Sequence, residues 1–340
     1  MKNICFFFFF LTLTYCSSSN NDNNKGNSDR LYIASWNVEN LFDAIDDADK
    51  IDEWFLPSSK INWTDRKLAT KLKNLAKVIS LMNDGEGPDI LALQEVEHKH
   101  LIEKLVREIK SDKNYKIVHF ESPDKRGIDN AIIYNSNILS LNLSEAIRVN
   151  LKRTTTRDIL YVELLYRNEG IHIFVNHWSS RREGLKKTEP KRIAAAKTLL
   201  KKISSIKNLS KKNIVILGDF NDLPVNISIK KILKAKDFNC DSIYNDFKLF
   251  NLTLKSFKQG LGTYKYKDNW NMLDQMIISN SLLNKIGLDY YCNSFEIIKP
   301  KFIIQKNGKY KGTALPTFGG KKYLGGYSDH FPIGAKFIYK

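Results

Sequence analysis

Polar residues suited to catalysis stand directly after several short apolar runs of this sequence. The clearest run covers residues 214–217 and is followed by Gly218, Asp219 and Asn221. Four consecutive apolar residues predict a buried strand, and the glycine permits a turn at its end. Carboxylates placed there could hold a hard metal ion or orient a water molecule. A lone strand that ends in an Asx turn would give the same local pattern.

The same arrangement recurs elsewhere, which favours a shared site over unrelated turns. Apolar runs lead into further polar residues at four places, and a Ser-Asp-His segment stands near the C-terminus. These residues are Asn37, Glu95, His177, Asp274, and the pair Asp329 and His330. Ligand and catalytic groups collect at the carboxyl ends of sheet strands. We therefore predict that the runs deliver their polar residues to one convergent site.

Strands and helices that would position these residues alternate along the chain. Apolar runs and alternation predict strands at 31–35, 90–93, 115–120, 130–134, 159–166, 171–175, 214–217 and 333–338. Thr64 is a predicted N-cap for a helix that stops at residues 85–88, and Pro190 is predicted to open another helix. Shorter helices are predicted at 101–109 and near 227–233. Many strands are short and sequential, which predicts two facing sheets covered by helices.

The composition indicates a globular protein with a strong positive charge. The chain has 340 residues, of which 42% are hydrophobic and 27% charged, with a net charge of +17. This charge favours a polyanionic partner such as nucleic acid or an anionic membrane surface, although a general bias toward lysine would also produce it. Six acidic residues between Asp43 and Glu53 predict a solvated loop, with a calcium site as the alternative.

The first residues are predicted to be a targeting segment. Lys2 supplies a charge, and residues 4–13 form an apolar core too short to span a bilayer. Cys16 follows, in a context that resembles a bacterial lipoprotein signal. Tyr15 stands where a small residue usually precedes the lipidated cysteine, so a plain secretory leader cleaved elsewhere is the alternative. Both interpretations place the body outside the cytoplasm, on a flexible Ser- and Asn-rich tether.

Two of the four cysteines belong to this segment. Cys5 lies in the leader and Cys16 would carry the lipid, which leaves Cys240 and Cys292 in the body. In an exported protein these two could form a disulfide, and two buried free thiols are the alternative. The sequence has no CxxC motif, which argues against a structural zinc site.

Seven short motifs carry a resemblance to a known family. They are Trp36-Asn37-Val38-Glu39, Leu93-Gln94-Glu95, Asn130-Ala131-Ile132, Asn176-His177, Gly218-Asp219-Phe220-Asn221, Leu273-Asp274 and Ser328-Asp329-His330. In this order, over residues 31–340, the chain resembles the endonuclease/exonuclease/phosphatase superfamily. That group includes pancreatic deoxyribonuclease, abasic-site endonucleases, bacterial sphingomyelinases and inositol polyphosphate 5-phosphatases. The resemblance implies an α/β fold, a four-layer sandwich of two facing mixed β-sheets flanked by helices.

The resemblance also implies phosphoester cleavage with Mg²⁺, or Mn²⁺ in its place. Glu95 is then the principal metal ligand, with Asn37 and Glu39 near the metal. Asp219 would orient or deprotonate the attacking water, and Asn221 would position it. A hard cation neutralises charge that develops on a phosphodiester, so this chemistry suits these residue types.

The remaining implied roles belong to the histidines and their partners. His330 would stabilise the transition state and Asp274 would orient it, while Asp329 would support the metal or His330. His177 stands where the nuclease and sphingomyelinase branches place a second histidine. Three arginines are predicted to contact the substrate phosphate, namely Arg126, Arg181 and Arg182, the last two because they follow His177 closely.

Together these observations predict an exported, lipid-anchored phosphodiesterase. Residues 1–15 would be the signal peptide, 16–30 the lipidated cysteine and tether, and 31–340 the catalytic domain. A nuclease is the predicted activity, with a sphingomyelinase or phosphatase as the alternative within the family. A non-catalytic surface-binding lipoprotein is the alternative of another class. We expect a monomer that binds nucleic acid as substrate and the membrane through its lipid, and no protein partner is indicated.

Overall fold

The computed structural model describes Met1 and residues 29–340. The predicted signal peptide, the predicted lipidation site Cys16 and most of the predicted tether therefore lie outside the described residues. Within residues 29–340, none of the helices combines the length and the apolar character that crossing a membrane would need.

The strands of the described chain are mostly short. In chain order they are β1 (Arg30–Leu41), β2 (Ile90–Val96), β3 (Tyr115–His119), β4 (Asp129–Asn135), β5 (Leu139–Ile147), β6 (Ile159–Tyr166), β7 (Glu169–His177), β8 (Asn213–Asp219), β9 (Leu249–Asn251), β10 (Tyr264–Tyr266), β11 (Asn269–Asn271), β12 (Asp274–Ser279), β13 (Leu288–Tyr290), β14 (Glu296–Ile297), β15 (Phe318–Gly319), β16 (Lys322–Tyr323) and β17 (Ile333–Tyr339).

The helices lie between these strands. The α-helices are α1 (Asp65–Leu81), α2 (Lys99–Glu108), α3 (Leu185–Ser204) and α4 (Leu254–Lys258). Short 3₁₀ turns occur at Glu53–Phe55, Asn83–Gly85, Leu209–Lys211, Asn280–Leu283 and Lys301–Ile303, and a π-helical turn covers Ser228–Leu233. The hydroxyl of Thr64 accepts a hydrogen bond from the N–H of Lys67, so the predicted N-cap of α1 is confirmed.

Two mixed sheets form the centre of the fold. The first has the order β13-β17-β1-β2-β4-β3, with β14 also paired to β17, and the second has the order β5-β6-β7-β8-β12-β9. Within them β1 and β2 are parallel, as are β7 and β8, and their other pairings are antiparallel. The strands that carry predicted site residues therefore occupy the middle of each sheet.

Side-chain alternation along the central strands builds three apolar layers. In β8, Val215 and Leu217 join the core between the sheets, while Ile214 and Ile216 pack toward α3. On the far side of the first sheet, Trp36 belongs to a third core that also contains apolar residues of α1 and α2. The predicted α/β four-layer sandwich is confirmed.

Several element predictions were wrong in detail. Asp274 begins β12 instead of ending a strand, and it reaches the site because β12 runs antiparallel to β8. Helix α3 begins at Leu185, and Pro190 lies inside it. The helical turn before Pro190 is stabilised by a side chain, because the hydroxyl of Thr188 donates to the carbonyl of Gly184 at 2.8 Å. Strand β5 was not predicted.

The two body cysteines are joined. Cys240 and Cys292 form a disulfide whose Cα atoms lie 6.1 Å apart, within the usual range for such a bond. The predicted pairing is therefore confirmed, and the alternative of two free thiols is not.

Candidate active site

The predicted site residues meet at one edge of the sandwich. Asp219 ends β8, where it is in register with His177 of the parallel neighbour β7 and with Asp274 of the antiparallel neighbour β12. The facing sheet contributes Asn37 from β1 and Glu95 from the adjacent β2. The carboxyl ends of two pairs of parallel strands and the amino end of one antiparallel strand thus converge.

Irregular backbone directs the first-sheet residues into the site. The register of β2 against β4 shifts between Gln94 and Val96, and the residue between them, Glu95, has φ of 65°. Such bulges redirect a side chain. Glu39, Asn40 and Asn221 also have positive φ values of 53°, 51° and 49°. Left-handed conformations at non-glycine residues cost energy and are concentrated at functional sites.

Asp219 is the centre of the polar network. It is 2% exposed, and one of its oxygens accepts the N–H of Asn221 at 2.8 Å. The other oxygen accepts from the amides of Asn37 at 3.1 Å and Asn221 at 3.2 Å. Burial raises the pKa of Asp219 to about 6. The nearby Asp274 adds to this rise, whereas His330 and the hydrogen bonds oppose it. Asp219 is therefore poised to exchange a proton near neutral pH.

His330 is held by a buried carboxylate. Its Nδ1 lies 2.7 Å from Asp274 Oδ2, and Thr263 donates to the same oxygen at 2.5 Å. His330 Nε2 then points toward Asp219, with Oδ2 4.0 Å away. Burial lowers the pKa of His330, but Asp274, Asp329 and Asp219 outweigh it and place that pKa well above its usual value. The imidazole is thus kept as a cation that can donate a proton or stabilise negative charge.

His177 has the opposite electrostatic character. Its Nε2 lies 3.7 Å from both Glu95 Oε1 and Asp219 Oδ2. Burial and the nearby cations Arg157, Arg126 and His330 hold the pKa of His177 well below its usual value. The site therefore pairs a neutral imidazole with a cationic one, and both lie near Oδ2 of Asp219.

Glu95 remains a carboxylate despite its burial. Its side chain is 15% exposed and accepts from the Asn37 amide at 3.2 Å and the Asn40 N–H at 2.9 Å. Burial raises the pKa of Glu95, but Arg126, His330 and these two hydrogen bonds together bring it below its usual value. The residue therefore keeps the negative charge that a metal ligand needs.

Glu39 and Asp329 lie at the margin of this cluster. Glu39 accepts the N–H of Thr317 at 2.6 Å and lies 4.0 Å from the buried amine of Lys71. Burial raises the pKa of Glu39 to about 7, although Lys71 opposes the rise. Asp329 is 41% exposed in its side chain, with Oδ1 4.0 Å from His330 Nε2. Asp329 therefore faces both the solvent and the site.

The three predicted phosphate-binding arginines are placed differently. Arg126 is exposed at the rim, where Nη2 donates to Asn40 at 2.7 Å and lies 3.8 Å from Glu95. Arg181 is occupied by protein, because its guanidinium donates to the Asn221 carbonyl at 2.6 Å and to Asn226 at 3.1 Å. Arg182 is exposed on the same loop. The structure thus brings Arg126 to the cluster and uses Arg181 as a brace behind Asn221.

The donor set around Glu95 suits a hard divalent cation. Glu95 supplies a carboxylate, with the carboxylate of Asp329 nearby. The Asn37 amide lies beside Glu95, with its nitrogen toward that carboxylate and its oxygen accepting the N–H of Glu39 at 3.0 Å. Mg²⁺ is typically held by one or two carboxylates, with water and substrate oxygens completing its shell. Among residues 29–340, the tighter groups of three carboxylates or imidazoles all lie elsewhere and exclude Glu95. A site with few protein ligands, open to a phosphate, fits this arrangement.

Sequence reasoning missed two supporting residues. Arg157 is 9% exposed and donates to the carbonyls of His177 at 3.2 Å and Trp178 at 2.6 Å, while pairing with Asp124 at 3.1 Å. Thr263 is fully buried against Asp274. The basic residue just before β6 was a weak signal for Arg157, and the sequence around Thr263 carries none.

The fold and this site are those of a metal-dependent phosphoester hydrolase. The chain belongs to the Endonuclease/Exonuclease/phosphatase family, whose model matches residues 32–339. The resemblance stated from the motifs is therefore confirmed. None of the curated protein sequences compared with the chain matches it.

Solved structures share the fold at low sequence identity. A humanized Danio rerio TDP2 has a TM-score of 0.56 at 15% identity, with 91% of this chain and 98% of that chain covered. The human Nocturnin catalytic domain has a TM-score of 0.55 at 18% identity, covering 92% and 94% of the two chains. A Bacteroides thetaiotaomicron mannosyl-6-phosphatase has a TM-score of 0.56 at 13% identity, covering 91% and 99%. These likenesses establish the fold alone.

Proposed function

We propose that this chain is a nuclease that hydrolyses nucleic-acid phosphodiesters with Mg²⁺ or Mn²⁺. The observation that carries the proposal is the position of Asp219, whose Oδ2 lies 3.7 Å from the neutral His177 and 4.0 Å from the cationic His330. The same His177 nitrogen lies 3.7 Å from Glu95. Glu95 and Asn37 would hold the metal, with Asp329 or Glu39 assisting. When bound, the metal would neutralise charge on the phosphate oxygens.

The side chains divide the remaining work between them. Asp219 accepts a hydrogen bond from water and orients it toward phosphorus, while Asn37 and Asn221 fix the rotation of that carboxylate. His330 donates to a phosphate oxygen, and Asp274 keeps its imidazole charged and correctly turned. His177, being neutral, can donate one hydrogen bond from Nε2 to a second oxygen.

Charge supports a polymeric substrate. The net charge of +17 and the exposed Arg126 at the rim suit a polyanion that extends beyond the cleaved bond. A Danio rerio TDP2 of similar fold, at 15% identity and a TM-score of 0.56, has been solved as a complex with single strand DNA product. A phosphatase is the competing function, because the similar mannosyl-6-phosphatase shares the same fold.

The test is an activity panel on the soluble body. Plasmid DNA, single-stranded RNA, sphingomyelin and a sugar phosphate are incubated with Mg²⁺ or Mn²⁺, and with EDTA as the control. We expect cleavage of nucleic acid that EDTA abolishes. Asp219→Asn and His330→Ala should each remove turnover while circular dichroism stays unchanged. Hydrolysis confined to sphingomyelin or the sugar phosphate would refute the nuclease proposal, and binding without hydrolysis would refute catalysis.

We also propose that residues 31–340 form the catalytic domain and that the protein is exported and anchored through a lipid on Cys16. The disulfide between Cys240 and Cys292 supports an oxidising compartment. Replacing Cys16 by Ser should release the protein from the membrane fraction of expressing cells, and Ser17→Ala is the matched control. Membrane association that survives the cysteine replacement would contradict the anchor.

A further inference from the structure

A second group of acidic residues lies beside the candidate active site. Oxygens of Asp47, Asp52 and Glu97 lie within 4.8 Å of one another, and Asp43, Glu97 and His98 form an overlapping group. Glu97 follows β2, two residues after Glu95, whereas the aspartates come from the acidic loop after β1. The structure therefore gathers three of the six acidic residues that the sequence predicted to be solvated, whereas Asp46, Asp49 and Glu53 are exposed.

Most of this charge is removed from water. Asp52 and Glu97 are each 1% exposed and Asp43 is 6% exposed. Within residues 29–340, no lysine or arginine nitrogen approaches these carboxylates or Asp47 within 4.0 Å. Their ion-pair contacts are with imidazoles, at 3.1 Å from Asp47 to His98 and 3.1 Å from Asp43 to His100. Buried carboxylates normally need a cation, a metal ion or a retained proton.

One oxygen of Asp52 is left without a hydrogen-bond partner. Oδ2 accepts the N–H of Asp47 at 3.0 Å, but Oδ1 is buried and has no hydrogen-bond partner. Asp52 also belongs to the group in which one carboxylate oxygen of each of Asp47, Asp52 and Glu97 lies within 4.8 Å of the others. A buried carboxylate with an unused oxygen thus stands in a set of hard donors.

We propose that Asp47, Asp52 and Glu97 bind a structural Ca²⁺ ion, with Asp43 at its edge. Calcium takes six to eight oxygen ligands in flexible geometry, which carboxylates from a loop and a strand end can supply. The three-carboxylate group contains no nitrogen ligand, and this favours calcium over zinc. The site is distinct from the one at Glu95.

The ion would fasten the acidic loop to the active-site strand. The loop also contacts the segment that carries Arg126, because the N–H of Ile51 donates to the carbonyl of Lys125 at 2.7 Å. Asp43 donates its N–H to Glu97 at 2.8 Å. Calcium would therefore stabilise the rim that holds Arg126, without taking part in hydrolysis.

The experiment measures calcium binding directly on the purified body, by titration calorimetry and by thermal unfolding. We expect binding of one Ca²⁺ and a rise in the unfolding temperature. Asp52→Asn should weaken the affinity at least about tenfold, as should Asp47→Asn, whose side chain is 32% exposed and tolerates change better. Asp49→Asn, exposed in the same loop and outside the group, is the matched control and should bind like wild type.

A Glu95→Gln variant distinguishes the proposed calcium site from the active-site metal. This variant should retain calcium binding, because Glu95 is not a ligand of the proposed site. Binding lost in Glu95→Gln but kept in the two loop variants would overturn the proposal. So would the absence of calcium binding in the wild type, the result expected if the buried carboxyls keep a proton instead. If Asp52→Asn does not fold, as judged by circular dichroism, Asp47→Asn decides the matter.

Discussion

At the scale of single residues, the sequence revealed identities but not their surroundings. Asp219 was a candidate because a carboxylate directly after an apolar run is unusual, and His330 was a candidate because its Ser-Asp-His segment matches a family motif. Their opposite pKa shifts were not predictable, since these depend on burial and on partners such as Asp274, more than fifty positions before His330 in the chain. The left-handed φ of Glu95 was equally hidden, because glutamate does not signal such a conformation.

Replacing Asp274 by Asn should lower kcat by about 10²–10⁴-fold, the usual contribution of a positioned acid or base. The amide cannot keep His330 cationic, so the alkaline limb of the pH–rate profile should also move to lower pH. Steady-state kinetics across pH measures both effects. Asp268→Asn, exposed in the loop between β10 and β11, is the control. A lower kcat with an unmoved alkaline limb would contradict the orienting role.

The pH dependence of the wild type should be bell-shaped. Asp219 must be deprotonated to orient water, and its pKa is raised to about 6, so kcat/KM should rise as the pH increases through that region. His330 must be protonated, and its raised pKa places the loss of activity above neutral pH. The profile should be measured with a small phosphodiester, to avoid titrating polymer contacts. A rate that stays constant below pH 6 would argue against Asp219 as the group that must lose a proton.

At the scale of elements, apolar runs predicted the buried strands well and the exposed or unusual elements poorly. Strand β5 carries no continuous apolar run, and the alternation of its leucines with polar residues was overlooked. Leu141 and Leu143 are exposed, because the strand lies at the edge of its sheet. Helix α3 was predicted to start at Pro190, because proline fits a first turn. The buried Arg192, which donates to the carbonyl of Leu185, extends it further.

Within the strands, Gly218 occupies a position that only a residue without a side chain can fill. Its φ is 127°, and a Cβ there would collide with the backbone of Asn176 on the neighbouring strand β7. Gly218→Ala should therefore lower the free energy of unfolding by more than the roughly 1–3 kcal/mol of a strained backbone alone. Gly260→Ala, with φ of 77° and open space around its Cβ, carries only the backbone strain and is the matched control. Equal urea midpoints for the two variants would show that the close approach has no energetic consequence.

At the scale of the whole molecule, the sequence indicated that the site residues converge, but it did not indicate which strand pairings bring them together. Asn37 and His330 are nearly three hundred residues apart, and the antiparallel pairing of β1 with β17 brings them to the same edge. Trp36 then donates to the carbonyl of His330 at 3.0 Å. No local signal specifies that pairing. The recurrence of polar residues after apolar runs, together with the family motifs, compensated for this missing information.

The net charge of +17 makes a prediction about the entire surface. If nucleic acid is the substrate, the affinity of the protein for it should fall about 3.5-fold per phosphate contact when the salt concentration rises fourfold. Cleavage of a small aryl phosphodiester should depend much less on salt, since it makes few contacts outside the site. Comparing KM for DNA and for the small substrate over a salt series separates polymer binding from chemistry.

The slope of that series assigns the contacts to the loop after β7. Arg182 is exposed in that loop, and Lys186 is exposed in the first turn of α3 that follows it. Replacing both with Gln should lower the slope by about 1.8, with little change for the small substrate. The control pair is Lys207→Gln and Lys285→Gln, because these exposed lysines lie near the starts of β8 and β13, away from His177. Both pairs remove the same charge, so a purely non-specific attraction would lower the two slopes equally. A smaller slope in the loop pair alone would locate the polymer beside the catalytic histidines, whereas equal slopes would contradict a defined track.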